Sequence, residues 1–260
     1  MQFTAAEIAA FLGSFLWPFF RVGALLMAAP LTGSQNVPAR VRIGLAFFIT
    51  LVILPVLPPV PAVDPFSLPS LFIIFQQVLI GAAMGFAVQL VFSAVVAGAQ
   101  IIAMQMGLGF ASMVDPVNGQ DTPVLAQFYL MFATLVFLAL NGHLVLIRLL
   151  VESFQTLPIG TEGLDRDAFM ALARWGTHLF ADAVWLSLPA VASLLVVNIA
   201  FGVMSRAAPQ LNIFAIGFSV TLVMGFLVLL FTLESVVPQF TAMTEQMFGL
   251  VREVMTPGGR

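Results

Sequence analysis

From Pro65 to Val114 the chain carries no charged residue, and few environments can surround so long a stretch. Roughly 18 mainly apolar residues suffice to span hydrocarbon. As a single straight helix, the run Leu71 to Gln105 would exceed about 50 Å at about 1.5 Å per residue, against a hydrocarbon core of about 30 Å. It is therefore expected to break, tilt or leave the bilayer. The rest of the chain has the same character: 61% of its residues are hydrophobic and 8% are charged, where a soluble domain has about 25% charged residues. The bilayer is part of this chain's solvent.

The expected fold class is all-α and polytopic, with about six long helical segments. They are read as Ile8 to Leu31, Ile43 to Val60, Leu71 to Gln105, Val124 to Ile147, Ala183 to Ser205 and Leu211 to Leu233. "LPVLPPVPAVDPFSLP" is a proline-rich turn that ends one helix and stiffens the path to the next. Residues 148 to 182 hold the main charge cluster, including Arg148, Glu152, Asp165, Arg174 and Asp182, and read as a solvated connection, helical in part around Asp167 to Phe180. "SRAAPQLN" fits a tight hairpin turn. From Val236 onward, Phe240, Met243, Met247, Leu250 and Val254 fall at helical spacing, an amphipathic helix expected to pack on a partner or an interface. Arg40 and Arg42 favour an outside N-terminus, whereas the arginine total of the even-side loops and tail favours the opposite. No Lys or Arg precedes the first apolar run, so no signal peptide is expected.

All nine basic residues are arginine, which argues against a solvated basic surface for nucleic acid. With no cysteine there is neither a disulfide framework nor a thiolate metal site. His143 and His178 have no carboxylate at ligand spacing. Serine-elbow, HExxH and P-loop patterns are absent, and the Gly107 to Ser112 stretch lacks the third glycine and the strand of a dinucleotide loop. Neither an enzyme nor a cofactor is expected.

Polar residues inside the apolar runs are the remaining candidates. Arg21 lies midway in the first segment, where a charge costs several kcal/mol unless it faces protein or water. One reading is a buried ion pair or a snorkelling arginine; the other is a polar subunit contact or a wet lumen. Gln89, Ser93 and Gln100 share a helix face, and either bond neighbouring helices or line a wet passage. Gly81 and Gly85 form a small-xxx-small pattern that permits close helix approach. At "MQMGLGFASMVDP", Gly107 and Gly109 each disfavour a helix by about 1 kcal/mol, and Asp115 before Pro116 is pushed toward extended backbone. Two accounts fit: gap-filling methionines beside an ordinary turn, or a deformable apolar stopper built from Met104, Met106 and Met113.

Four stretches carry a resemblance: "RVGALLMAAPLTGSQNVPARVRIGLA", "AQIIAMQMGLGFASMVDPVNGQDTPVLAQF", "NGHLVLIRLLVESFQTLPIG" and "PAVASLLVVNIAFGVMSRAAPQLNIFAIGFSV". In this order, and over nearly the whole chain, they resemble the FliR family of the type III secretion export gate. Virulence-type relatives share the layout, but the central Met-Gln-Met-Gly-Leu-Gly-Phe looks flagellar.

The resemblance implies assembly with FliP and FliQ into a closed helical channel that conducts unfolded export substrates. FlhB and FlhA would stand nearby, in the flagellar basal body at the bacterial inner membrane. It implies a FliP-like portion, residues 1–175, and a FliQ-like hairpin with an amphipathic tail, residues 176–260. It places a pore plug on the loop 106–121, carried here by Met106, Gly107, Phe110, Met113 and Asp115. Arg206, in the hairpin turn, becomes the candidate contact for FlhB. Arg21, Gln89 and Gln100 remain candidates for subunit or lumen contacts. A stand-alone polytopic transporter is the alternative.

Overall fold

The computed structural model describes residues 5–33, 37–61, 63, 67–108, 124–161, 163–207 and 213–256. Among these residues the chain is helical, without strands. The elements are α1 (Ala5–Ala28), the single turn α2 (Pro30–Gly33), α3 (Ala39–Ile53) with a 3-10 turn Leu54–Val56, α4 (Leu68–Gln105), α5 (Val124–Ala139), α6 (Gly142–Thr156), α7 (Arg166–Ala207) and α8 (Ile213–Val254). Among the described residues four helices are long and apolar enough to cross a membrane, or five if the broken pair α5 and α6 is one span.

Contacts group the chain into two compact units that do not follow chain order. The first comprises Met1–Val91, Asn141–Gly176 and Thr244–Arg260, the second Phe92–Leu140 and Thr177–Met243. In the first unit α3 packs on α1, and α1 lies against the first half of α4 at the two glycines of the small-xxx-small pattern. A Cβ at Gly85 would come 2.6 Å from the Ala28 Cβ and 2.8 Å from the Leu25 carbonyl oxygen, while one at Gly81 would strike the Arg21 carbonyl. In the second unit Phe92 meets Phe137 and Phe240 edge to face at 5.6 and 5.7 Å. There Gly98 brings α4 against α7, since a Cβ at 98 would sit 2.9 Å from the Ala183 carbonyl oxygen.

Several boundaries differ from those read in the sequence. The third run does not break: α4 is one helix of 38 residues, about 57 Å long. Two-thirds of its most apolar window (67%) is buried, against 17–22% for the other three candidate spans, so protein rather than lipid surrounds much of it. The fourth run does break, because Asn141 takes the left-handed conformation (φ 56°) between α5 and α6. An Asn-Gly pair tolerates that geometry. The charge cluster 148–182 is mostly helix. Asp165 caps α7 by accepting a 2.7 Å bond from the Ala168 N–H, and Ala168, Leu172 and Trp175 turn inward at helical spacing.

The sixth segment and the tail are one helix of 42 residues that continues through Pro238. Proline removes the N–H that would bond the Glu234 carbonyl, yet the helix runs on through it. The tail's stripe, Phe240, Met243, Met247, Leu250 and Val254, is buried throughout.

Glycines on these helices should respond oppositely to substitution. Gly85→Leu is expected to destabilise the fold by about 1–3 kcal/mol through overpacking against α1. Gly176→Ala, where a Cβ meets nothing within 4 Å, should stabilise it by up to about 1 kcal/mol. Thermal unfolding of the two purified variants beside the parent measures both.

Candidate functional site

The end of α4 is built from the residues that made the sequence ambiguous there. Leu108 N–H bonds the Ala103 carbonyl at 2.9 Å and Gly107 N–H bonds the Met104 carbonyl at 3.0 Å. With Gly107 at φ 84°, this is a Schellman stop, in which the left-handed residue is almost always glycine because a Cβ would crowd the following carbonyl. The helix therefore ends at a fixed point, and Gly107 sets the direction in which the chain departs.

Met106, one residue earlier, is completely buried. Its side chain lies against Gly225 of α8: a Cβ built there would stand 2.6 Å from Met106 Cε, 2.7 Å from Cγ and 3.1 Å from Sδ. Only a glycine leaves that space open. Beside it in the same unit is an apolar cavity of about 460 Å3, lined by Leu108, Val124, Phe128, Tyr129, Phe226 and Leu230 among others. Met104 is exposed. The other residues assigned to the plug, Phe110, Met113 and Asp115, lie outside the described residues.

Arg21 is fully buried in the first unit and anchors a polar cluster. Its Nε donates to Gln77 Oε1 at 2.8 Å, one terminal nitrogen donates to the Ser153 carbonyl and hydroxyl at 2.9 and 3.0 Å, and the other donates to the Leu157 carbonyl at 2.9 Å. The guanidinium carbon sits 4.1 Å from the centre of the Phe154 ring. None of these described partners is a carboxylate. Ser153 and Leu157 belong to the closing turn and C-cap of α6, where the aligned peptide dipoles leave partial negative charge; the Ser153 carbonyl accepts both the Leu157 N–H at 3.0 Å and the guanidinium. A helix end thus takes the place of an anion, and the ring face adds a second electron-rich surface.

The remaining candidates are scattered. Gln89 is exposed and Gln100 half-buried on α4, and Arg206 is exposed in the last turn of α7. Sequence reasoning missed Gly225, Ser153 and Phe154, and did not join Gln77 to Arg21. Gln77 had a signal, an amide in a run without charge; Gly225, one glycine in an apolar stretch, had none.

With the geometry in place, the relatives are informative. The sequence profile of the bacterial export proteins, family 1, matches residues 12–247. The chain is 42% identical over 256 residues to a protein of Escherichia coli (strain K12) named flagellar biosynthetic protein FliR, covering 98% of both chains. Proteins of the same name from Pectobacterium carotovorum and Bacillus subtilis (strain 168) are 38% and 31% identical, over 98% and 84% of this chain.

Loss of the Arg21 donors should cost more than loss of their geometry. Arg21→Leu leaves buried acceptors unpaired at about 1–3 kcal/mol each, so it is expected to lower the denaturation midpoint further than Arg21→Lys; the reverse order would argue against the carbonyl cage. Gly107→Ala should cost about 1–2 kcal/mol in the same measurement, the strain of a left-handed residue bearing a Cβ.

Proposed function

Because the chain belongs to the bacterial export proteins, family 1, and matches FliR members over nearly its whole length, we propose that it is a structural and pore-forming subunit of the flagellar type III export gate. That full-length match carries the reading. Flagellar biosynthesis and protein export at a membrane are its coarse function. In finer terms, the chain assembles with FliP and FliQ into a channel for unfolded flagellar proteins, in the bacterial inner membrane at the basal body. It has FlhA and FlhB as neighbours and no catalytic turnover of its own.

Exposed apolar surface supports assembly. Phe180, Trp185, Val196 and Val203 on α7 and Val223, Leu230 and Phe231 on α8 all stand more than half exposed. Sister subunits and membrane lipid would cover them. Residues 1–175 form the FliP-like portion in this scheme. Residues 176–260 form the FliQ-like portion, which spans most of α7 and all of α8.

The plug is placed on the loop that follows the Schellman stop, with Met106 and Gly107 as its root and Phe110, Met113 and Asp115 within it. Soft apolar side chains suit the task, because they exclude water and ions while binding no particular substrate tightly. Arg21 stabilises the wall from within, Gln89 and Gln100 contact sister subunits or the lumen, and the turn after Arg206 faces FlhB.

Two measurements test this. The chain should copurify with FliP-like and FliQ-like proteins and be short-lived without them; a durable, well-folded monomer in detergent would contradict assembly. Deleting Gly107 to Val114 should leave the complex able to assemble but make membranes leaky to small ions, and an assembled deletion mutant of unchanged permeability would refute the plug.

A further inference from the structure

Two glycines and one methionine fix how the chain leaves α4. Gly107 orients the backbone through its left-handed conformation, and Gly225 holds the side chain of Met106. The second contact has no redundancy visible in its chemistry: it includes no hydrogen bond, no charge and no ring, only a flexible thioether lying where a Cβ is missing. Three rotatable bonds let a methionine enter or leave such a notch without disturbing either helix backbone. The same stretch of α8 continues as Phe226, Leu229, Leu230 and Leu233, which with Leu108 line the adjoining apolar cavity. One face of α8 thus receives Met106, the residue that follows α4, and borders Leu108 just beyond the stop.

We propose that Gly225 is a positioning residue for the plug: it is the notch in which Met106 latches the root of the loop to α8, and the latch must open for substrate to pass. The inference rests on the plug assignment and adds a residue of another helix to it. Glycine is required at 225 for the latch, not for the helix, since a glycine within a helix is itself unfavourable. Its nearest neighbours are side-chain atoms of one residue rather than backbone. A Cβ there would therefore expel Met106 and leave the helices in place.

The chain has no cysteine, so a designed pair tests the latch directly. A disulfide needs Cβ atoms about 3.5–4.5 Å apart, a spacing compatible with Met106 Cγ lying 2.7 Å from a Cβ at 225. In the assembled gate in native membranes, Met106→Cys with Gly225→Cys should cross-link under mild oxidant. Secretion of flagellar subunits should stop while the bond is intact and resume on reduction. A pair that stays reduced, or a bond that leaves secretion unchanged, overturns the inference.

A second comparison does not depend on the disulfide. Gly225→Ala, which fills the notch, and Met106→Ala, which removes the side chain held in it, should each raise ion leakage, and the double variant should leak no more than either; a leaky Gly225→Ala beside a tight Met106→Ala would mean that Gly225 serves only helix packing. The loop deletion separates the two levels. An impermeable deletion mutant removes the plug itself, whereas a leaky one beside a cross-linked gate that still secretes removes the role of Gly225 alone.

Discussion

Arg21 is a full positive charge inside a chain that has almost no charge to spare, and the first unit is organised around neutralising it without an anion. The end of α6 supplies two carbonyl oxygens at its partly negative terminus, of which that of Ser153 also accepts the Leu157 N–H, and the guanidinium supplies donors in a planar fork that bonds both of them and the Ser153 hydroxyl. Each group would be costly to bury alone. Together they tie α1 to the C-cap of α6, and Gln77 extends the tie to α4. Close approach of α1 and α4 at Gly81 and Gly85 brings these backbones near enough for the side chains to meet. A carboxylate in place of the helix end would add a second desolvated ion, whose burial cost often exceeds the attraction it gains.

Much of the helical content was legible because apolar length is a strong signal, and the limits of that signal explain the errors. The boundaries of α4 and the helix stop near Gly107 were readable from residue type alone. The joining of residues 166–182 to α7 was not, because scattered charges masked the inward spacing of Ala168, Leu172 and Trp175. The stretch from Val236 onward read as a separate amphipathic tail, whereas α8 runs on through Pro238 with the stripe Phe240, Met243, Met247, Leu250 and Val254 buried. Of the candidate site, Met106 and Gly107 were visible as an oddity of composition. Their partner Gly225 was not, because a notch is a property of two helices brought together and leaves no pattern in either. The burial of Arg21 was foreseen as a problem, but not its solution, which lies 132 and 136 residues away in the chain.

The two fixed points differ in kind, and the difference suits the conduit proposed above. Around Arg21, four directional bonds and a ring face must all be lost before the helices can part, so that cluster resists motion. Met106 is held by apolar burial and by contact with Gly225 rather than by the directional bonds that hold Arg21, and another apolar surface could replace those contacts. A passage that opens for many unlike polypeptides requires a wall that does not yield and a stopper that yields repeatedly. In that proposal, hydrogen bonds serve the wall and a thioether the stopper, with few polar residues.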